Sequence, residues 1–145
     1  MKKSSIRKRK VASNPNEEIG DYMVSPVLSV SPDIPVQEAA QLMESKHIGS
    51  LLVKEGETFV GIITETDLTR KIVAQGLQDK NPSVREIMTA PLQTIDCHEP
   101  IVDANQLMAN KRIRHIAVTE NDQVVGMLSV KDLIHYYANP RIRSW

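Results

Sequence analysis

Aromatic residues are scarce, with one Trp, three Tyr and one Phe in 145 residues, so any core must be assembled from Val, Ile, Leu, Met and Ala. The single cysteine, Cys97, excludes an internal disulfide framework and suits a reducing compartment. No apolar run approaches the roughly 18 residues that span a bilayer. The first residues lack the apolar stretch of a signal peptide, and the chain reads as cytoplasmic, without a membrane segment. The six glycines form no Gly-rich phosphate loop of the Walker or Rossmann type.

A net charge of zero hides an asymmetry. Residues 1–10 hold six basic groups (Lys2, Lys3, Arg7, Lys8, Arg9, Lys10) and no acid, leaving twelve basic against eighteen acidic residues in the remainder. Such a start can touch an anionic surface, but its plain reading is a solvated tail over residues 1–18. The acidic body argues against nucleic acid as the main partner.

What the sequence does have is a repeat. Ile19–Leu68 laid on Val84–Leu133 at an offset of 65 gives 15 identities in 50 positions without a gap. Average residue usage would give about 3. The identities include Met23/Met88, Pro26/Pro91, Pro35/Pro100, Ala39/Ala104, Met43/Met108, Gly61/Gly126 and Asp67/Asp132. One copy of this length buries only roughly 60% of its unfolded surface, so the two halves should share one core. The expected division is repeat one over 19–76, a linker over 77–83, repeat two over 84–138 and a tail over 139–145. Two copies also imply a pseudo-two-fold axis and two related clefts.

The same order of elements is expected in each copy. Extended stretches at Val27–Val30 and Leu92–Ile95 precede a helix opened by Pro35 or Pro100. Val36, Ala39, Ala40, Leu42 and Met43, or Ile101, Ala104, Leu107 and Met108, give that helix a buried stripe. Strands follow at Ser50–Val53 and Phe59–Ile63, and at His115–Val118 and Val124–Leu128, joined by turns carrying Gly56 or Asn121-Asp122. A second helix starts at Thr64 or Ser129, with Leu68, Ile72 and Val73, or Leu133, Ile134 and Tyr137, as its apolar positions. The fold class is α/β (α+β), strand–helix–strand–strand–helix, twice.

The residues richest in chemistry are Gly61-Ile62-Ile63-Thr64-Glu65-Thr66-Asp67 and its echo Gly126-Met127-Leu128-Ser129-Val130-Lys131-Asp132. Each sets a hydroxyl and a carboxylate at a helix start, where unpaired N–H groups suit phosphate. The carboxylate can accept both hydroxyls of a ribose, and the glycine lets a flat base approach the backbone. The same Thr/Ser-x-x-Asp pattern is close to a capping box that needs no ligand. Arg114 and His115, replacing Gly49 and Ser50 of the first copy, offer cations to phosphate, while Lys111 and Arg112 also suit a solvated helix end. The two clefts should therefore differ in charge. Asp96-Cys97-His98-Glu99 lacks the spaced pairs of a zinc site, and an extended stretch points neighbours to opposite faces. No metal is expected, and no nucleophile–base pair suggests an enzyme.

Taken together, Met-x-x-Pro at the start of each copy, Pro-x-x-x-Ala-x-x-x-Met along the first helix and Gly-apolar-apolar-Thr/Ser-x-x-Asp before the second resemble the CBS-domain family over residues 19–138. The resemblance implies a tandem pair, or Bateman module, that is regulatory and binds an adenine nucleotide (AMP, ADP or ATP, sometimes S-adenosylmethionine or NAD). It implies ribose contacts at Asp67 and Asp132 and phosphate contacts at Thr64, Ser129, Arg114 and His115. Ile62 and Met127 would line the adenine slot, beside Gly61 and Gly126. It further implies a homodimer and an unidentified regulated protein. Two positions depart from the pattern, since Ile34 and Glu99 precede the helix-opening prolines, and Glu99 would repel phosphate if it faced the cleft. The alternative is a ligand-free dimerisation scaffold in which both aspartates are caps only.

Overall fold

The computed structural model describes residues 17–138. The first repeat forms β1 (Ser29–Val30), α1 (Val36–Lys46), β2 (Ser50–Glu55), β3 (Thr58–Thr64) and α2 (Glu65–Asp67), which runs on as a π-helix over Leu68–Val73. The second forms α3 (Val84–Ile87), β4 (Thr94–Asp96), α4 (Ile101–Lys111), β5 (His115–Glu120), β6 (Gln123–Ser129) and α5 (Val130–Ala138). Two three-stranded sheets result, ordered β1-β2-β3 and β4-β5-β6, each with a parallel outer pair and an antiparallel hairpin. This is the α+β architecture read from the repeat.

Local chemistry explains the matching elements. Pro35 and Pro100 sit at the N-caps of α1 and α4 in extended conformation, where a missing N–H costs nothing. The helices end on left-handed residues, His47 and Arg112. Val36, Ala39 and Met43 are buried on α1, as are Ile101, Ala104 and Met108 on α4. Asn121 and Asp122 both take positive φ in the β5–β6 turn, a conformation their short polar side chains tolerate. Both hairpins carry a bulge, after Val53 and after Val118.

Some expectations shift. The expected strands at Val27–Val30 and Leu92–Ile95 are shorter in the fold, as β1 and β4, which pair in parallel with β2 over two residues and with β5 over three. Val73, Ile134 and Tyr137 are exposed, not buried. The inward stripes are Ile72 and, on α5, Leu133 and Tyr136.

The segments that open the two repeats have exchanged halves. Ile19, fully buried, packs with Cys97, Ile101, Met108 and Leu128 of the second repeat. The Ile19 N–H donates to Glu99 O (2.9 Å), Gly20 to Cys97 O (2.8 Å), and Val24 and Met127 exchange bonds of 2.8 and 2.9 Å. Reciprocally, Val84 and Ile87 pack with Val36, Met43, Ile63 and Ile72 of the first repeat, while Ile62 and Thr89 exchange bonds of 3.0 and 2.8 Å. Arg85 reinforces this crossing through Glu55 (2.8 Å) and Asp33 (3.0 Å), and these hydrogen bonds lift its already high pKa. Between the sheets, Leu52, Ile62 and Ala117 form a third buried cluster that joins the halves. Neither repeat closes its core alone, as the short copy length requires. Among the described residues no helix is long and apolar enough to cross a membrane.

Candidate functional site

A cleft of about 620 Å³ opens where the halves meet, within the usual range for small-molecule sites. The first half contributes His47, Ile48, Gly49, Ser50, Leu52 and Glu65, and the second contributes Arg114, His115, Met127, Ser129, Lys131, Asp132 and His135. Val24, Pro26, Val27 and Leu28, from the crossing segment, close one wall. Five expected residues therefore meet here: Arg114, His115, Met127, Ser129 and Asp132.

Thr64 caps its helix, its Oγ1 accepting the Asp67 backbone N–H at 3.2 Å, while Ser129 is tied to the start of α5 through the Asp132 carboxylate. Thr64 N–H and Oγ1 donate to Asp67 Oδ2 at 3.0 and 3.1 Å, and Ser129 N–H and Oγ donate to Asp132 Oδ2 at 2.7 and 3.0 Å. The other oxygens of the two carboxylates differ. Asp67 is 5% exposed, and its Oδ1 is taken by Lys71 Nζ (2.8 Å) and Thr89 Oγ1 (2.9 Å). Lys71 also donates to Ile87 O at 2.9 Å and Thr89 Oγ1 at 3.2 Å, binding the crossing segment to the π-helix. At an offset of 65, Tyr136 replaces Lys71 and Val24 replaces Thr89. There the crossing segment is held by apolar packing, with Tyr22 edge-on to Tyr136 at 4.9 Å. Asp132 Oδ1 accordingly takes no hydrogen bond from the described residues, and Asp132 lines the cleft.

Thr64, Asp67, Ile62 and Gly61 do not line this cleft. Ile62 is buried against Leu52 and Ala117. The glycines admit chain at the positions where the sequence suggested a ligand base. A Cβ on Gly61 would lie 2.7 Å from Thr89 O, and one on Gly126 would lie 2.6 Å from Met23 Sδ and 3.1 Å from Val24 O. Gly126 is buried and, like Gly61, does not line the cleft.

Gly49 and Ser50 do not belong to a separate cleft, because the pseudo-two-fold brings them face to face with Arg114 and His115. Gly49 makes room for the imidazole: a Cβ there would sit 3.1 Å from His115 Cε1 and 3.3 Å from Glu65 Oε2. Burial pulls the His115 pKa below its ordinary value, against the opposing pull of Glu65 and Asp132, and Arg114 adds to the lowering. Ile34 and Glu99 stand outside the cleft, as do Lys111 and Arg112 at the solvated end of α4.

Asp96, Cys97 and His98 bring ligand atoms within 4.8 Å of one another. The extended-strand argument fails for them because β4 ends at Asp96 and the chain turns. Their present partners are structural. Asp96 Oδ1 accepts the His98 backbone N–H at 2.8 Å, and the His98 ring lies 3.1 Å from Glu18 Oε2. Cys97 is packed in the second core, where burial foremost, then Glu120 and Asp96, push its thiol pKa up.

His47, Glu65, Lys131 and His135 were missed as lining residues. Lys131 and His135 were readable in principle, lying beside and one turn beyond Asp132 on one helix. His47 and Glu65 come from the other half, which sequence spacing does not reveal.

Comparison with known proteins places the fold in a family. The family model of the CBS domain matches residues 19–74 and 84–139. The CBS domain-containing protein YhcV of Bacillus subtilis is 33% identical over 115 residues, covering 79% of this chain and 81% of that protein. An uncharacterized conserved protein from Pyrococcus horikoshii superposes with a TM-score of 0.82 at 32% identity, covering 91% of this chain and 99% of that one. The CBS domain pair of protein MJ0100, solved in complex with 5′-methylthioadenosine and S-adenosyl-L-methionine, shares the fold at 24% identity and a TM-score of 0.79, covering 88% of this chain and all of that one (100%). The chain belongs to the CBS-domain family, as a tandem pair of CBS domains.

Proposed function

We propose that this chain is a regulatory CBS-pair module that binds an adenosine-containing ligand of the AMP, ADP or ATP type in the Asp132 cleft. The observation that carries this reading is the unengaged Oδ1 of Asp132, set beside Arg114 and His115 in a cleft built by both halves. In this reading Asp132 accepts the ribose hydroxyls, Arg114 and His115 meet phosphate, and Met127 and Val27 flank the base. Asp67, with its carboxylate satisfied by Lys71 and Thr89, serves as a strut and binds no ligand. The ligand complex of MJ0100 supports the class of molecule for this fold. S-adenosylmethionine and NAD remain in the test panel as further adenosine ligands.

A ligand touching both halves favours one relative orientation of the repeats, and signalling follows from that population shift. Helix α5 carries Lys131, Asp132 and His135 toward the cleft and leaves Ile134 and Tyr137 exposed. The latter are three residues apart on one helical face, a surface for a dimer mate or a regulated protein. We assign the module no catalytic step, and we place it in the cytoplasm.

Thermal unfolding with each nucleotide at millimolar concentration tests the reading. Ligand at 100 times its Kd should add about 2.7 kcal/mol of stability. The shift should vanish in Asp132→Ala and persist in Asp67→Ala. A wild type equally stable with and without every ligand would overturn the reading and favour the ligand-free scaffold, in which both carboxylates act only as caps.

A further inference from the structure

Three of the protein's four histidines, His47, His115 and His135, face the cleft. The other charged groups there are Glu65 from α2, Arg114 before β5, and Lys131 and Asp132 from α5. With the imidazoles neutral, two acids and two bases cancel in the cleft. The attraction for an anion that does not depend on pH then rests on where Arg114 stands, and any further selectivity must come from protons.

His115 is the histidine built for this. His47 and His135 are exposed, whereas His115 is half-buried in the space that Gly49 leaves beside Glu65. Burial alone disfavours the imidazolium. Two carboxylates, Glu65 and Asp132, act in the opposite sense, and Arg114 acts with burial. An arriving phosphate adds negative charge to the same surroundings and tips this balance toward the protonated form.

We propose that His115 makes the cleft discriminate between anionic and uncharged adenosine ligands by taking up a proton when a phosphate-bearing one binds. This rests on the reading of the cleft as an adenosine-ligand site. The imidazole lone pair accepts a proton from solvent, no bond in the ligand changes, and the cleft gains one positive charge against the phosphate. Because the complex then holds more protons than the free protein, affinity for the anion rises as pH falls through the window between the two pKa values of His115. An uncharged adenosine shows no such rise. Arg114 supplies attraction at every pH, and His115 supplies the part that depends on acid.

The experiment is an NMR pH titration of the histidine ring protons in the free protein, with adenosine and with AMP, the His115 resonance being identified by its loss in His115→Gln. A companion calorimetric titration at pH 6 and pH 8 compares wild type with His115→Gln, so that the titration of AMP itself cancels. The expected result is a rise of about one pKa unit at His115 with AMP and none with adenosine. That rise corresponds to a gain of up to about tenfold in the AMP-to-adenosine affinity ratio, complete only below the free-state pKa and read in part at pH 6, and it is lost in His115→Gln. If AMP binds while the His115 titration stays fixed, or if the gain survives in His115→Gln, the inference is overturned and the cleft reading stands. If neither AMP nor adenosine binds to folded wild type, the cleft reading itself fails for these ligands and takes the inference with it. Should His115→Gln not fold, the wild-type ring titration alone decides, with assignment by sequential NMR.

Discussion

Asp67 and Asp132 occupy equivalent places in the sequence repeat, yet replacing each with Ala should produce opposite phenotypes. In Asp67→Ala the protein loses the Lys71 ion pair at 2.8 Å, the Thr89 hydroxyl bond at 2.9 Å and two capping bonds from Thr64. Hydrogen bonds to a charged group contribute about 1.5–3 kcal/mol each, and as one network they do not add. Lys71 keeps Ile87 O and Thr89 Oγ1, and its side chain is 42% exposed, so it is not stranded as a buried charge. The cost should therefore sit near the lower end of the range for breaking a buried pair, about 3 kcal/mol. For a chain of this length that is about 10 °C in Tm. In Asp132→Ala only the two bonds donated by Ser129 at the helix start are lost, about 1 kcal/mol. Urea unfolding of both variants, with Lys71→Met and the double variant completing a cycle, measures the difference. Equal costs for the two aspartates, or no coupling between Asp67 and Lys71, would refute the strut assigned to Asp67.

Other consequences follow from the same contacts. Gly61→Ala should destabilise by about 2 kcal/mol, because its Cβ meets the backbone oxygen of Thr89 at 2.7 Å and overpacking a rigid neighbour carries a cost of this order. Gly126→Ala should cost less, since its nearest obstacle is the flexible end of Met23, and paired denaturation curves will rank them. Ile19→Ala should cost about 3 kcal/mol despite lying near the chain's start, because Ile19 is fully buried in the core of the second half; a loss under 1 kcal/mol by urea unfolding would contradict the crossing. The hydrogen bond that His98 donates to Glu18 raises its pKa above the ordinary 6.5. The stability this contributes is present below pH 6.5 and lost as pH rises through the folded value. His98→Gln should therefore lower Tm at pH 5.5 and leave it unchanged at pH 8.5.

Much of the fold was legible because the repeat carried its own punctuation. Pro35 and Pro100 set the helix starts, and Gly56 and Asn121-Asp122 set the hairpin turns. The exchange of opening segments was not legible. Ile19 and Val84 occupy equivalent places in the two copies, and apolar patterning says that each is buried without saying in which half. At the site, the Thr/Ser-x-x-Asp echo marked two helix starts, and Arg114 and His115 set the second apart in charge, but the motif alone does not show that Asp67 is engaged by its own side-chain neighbours. The distinguishing signal was present four residues on, where Lys71 stands in one copy and Tyr136 in the other, since an Asp–Lys pair at that spacing meets on a helix face. The roles of Gly61 and Gly126 were misread for a related reason: a glycine records a close approach, and only the folded chain shows that the neighbour is Thr89 or Met23.

The central claim is that the two halves build one working adenosine site, at Asp132, while the equivalent position at Asp67 is closed by the protein's own side chains. Calorimetric stoichiometry tests it most directly, with AMP, ADP and ATP titrated into wild type, Asp67→Ala and Asp132→Ala under conditions where each is folded. The account predicts one ligand per chain in wild type, one in Asp67→Ala and none in Asp132→Ala. Two ligands per chain in the wild type, or binding that survives in Asp132→Ala and disappears in Asp67→Ala, would contradict it.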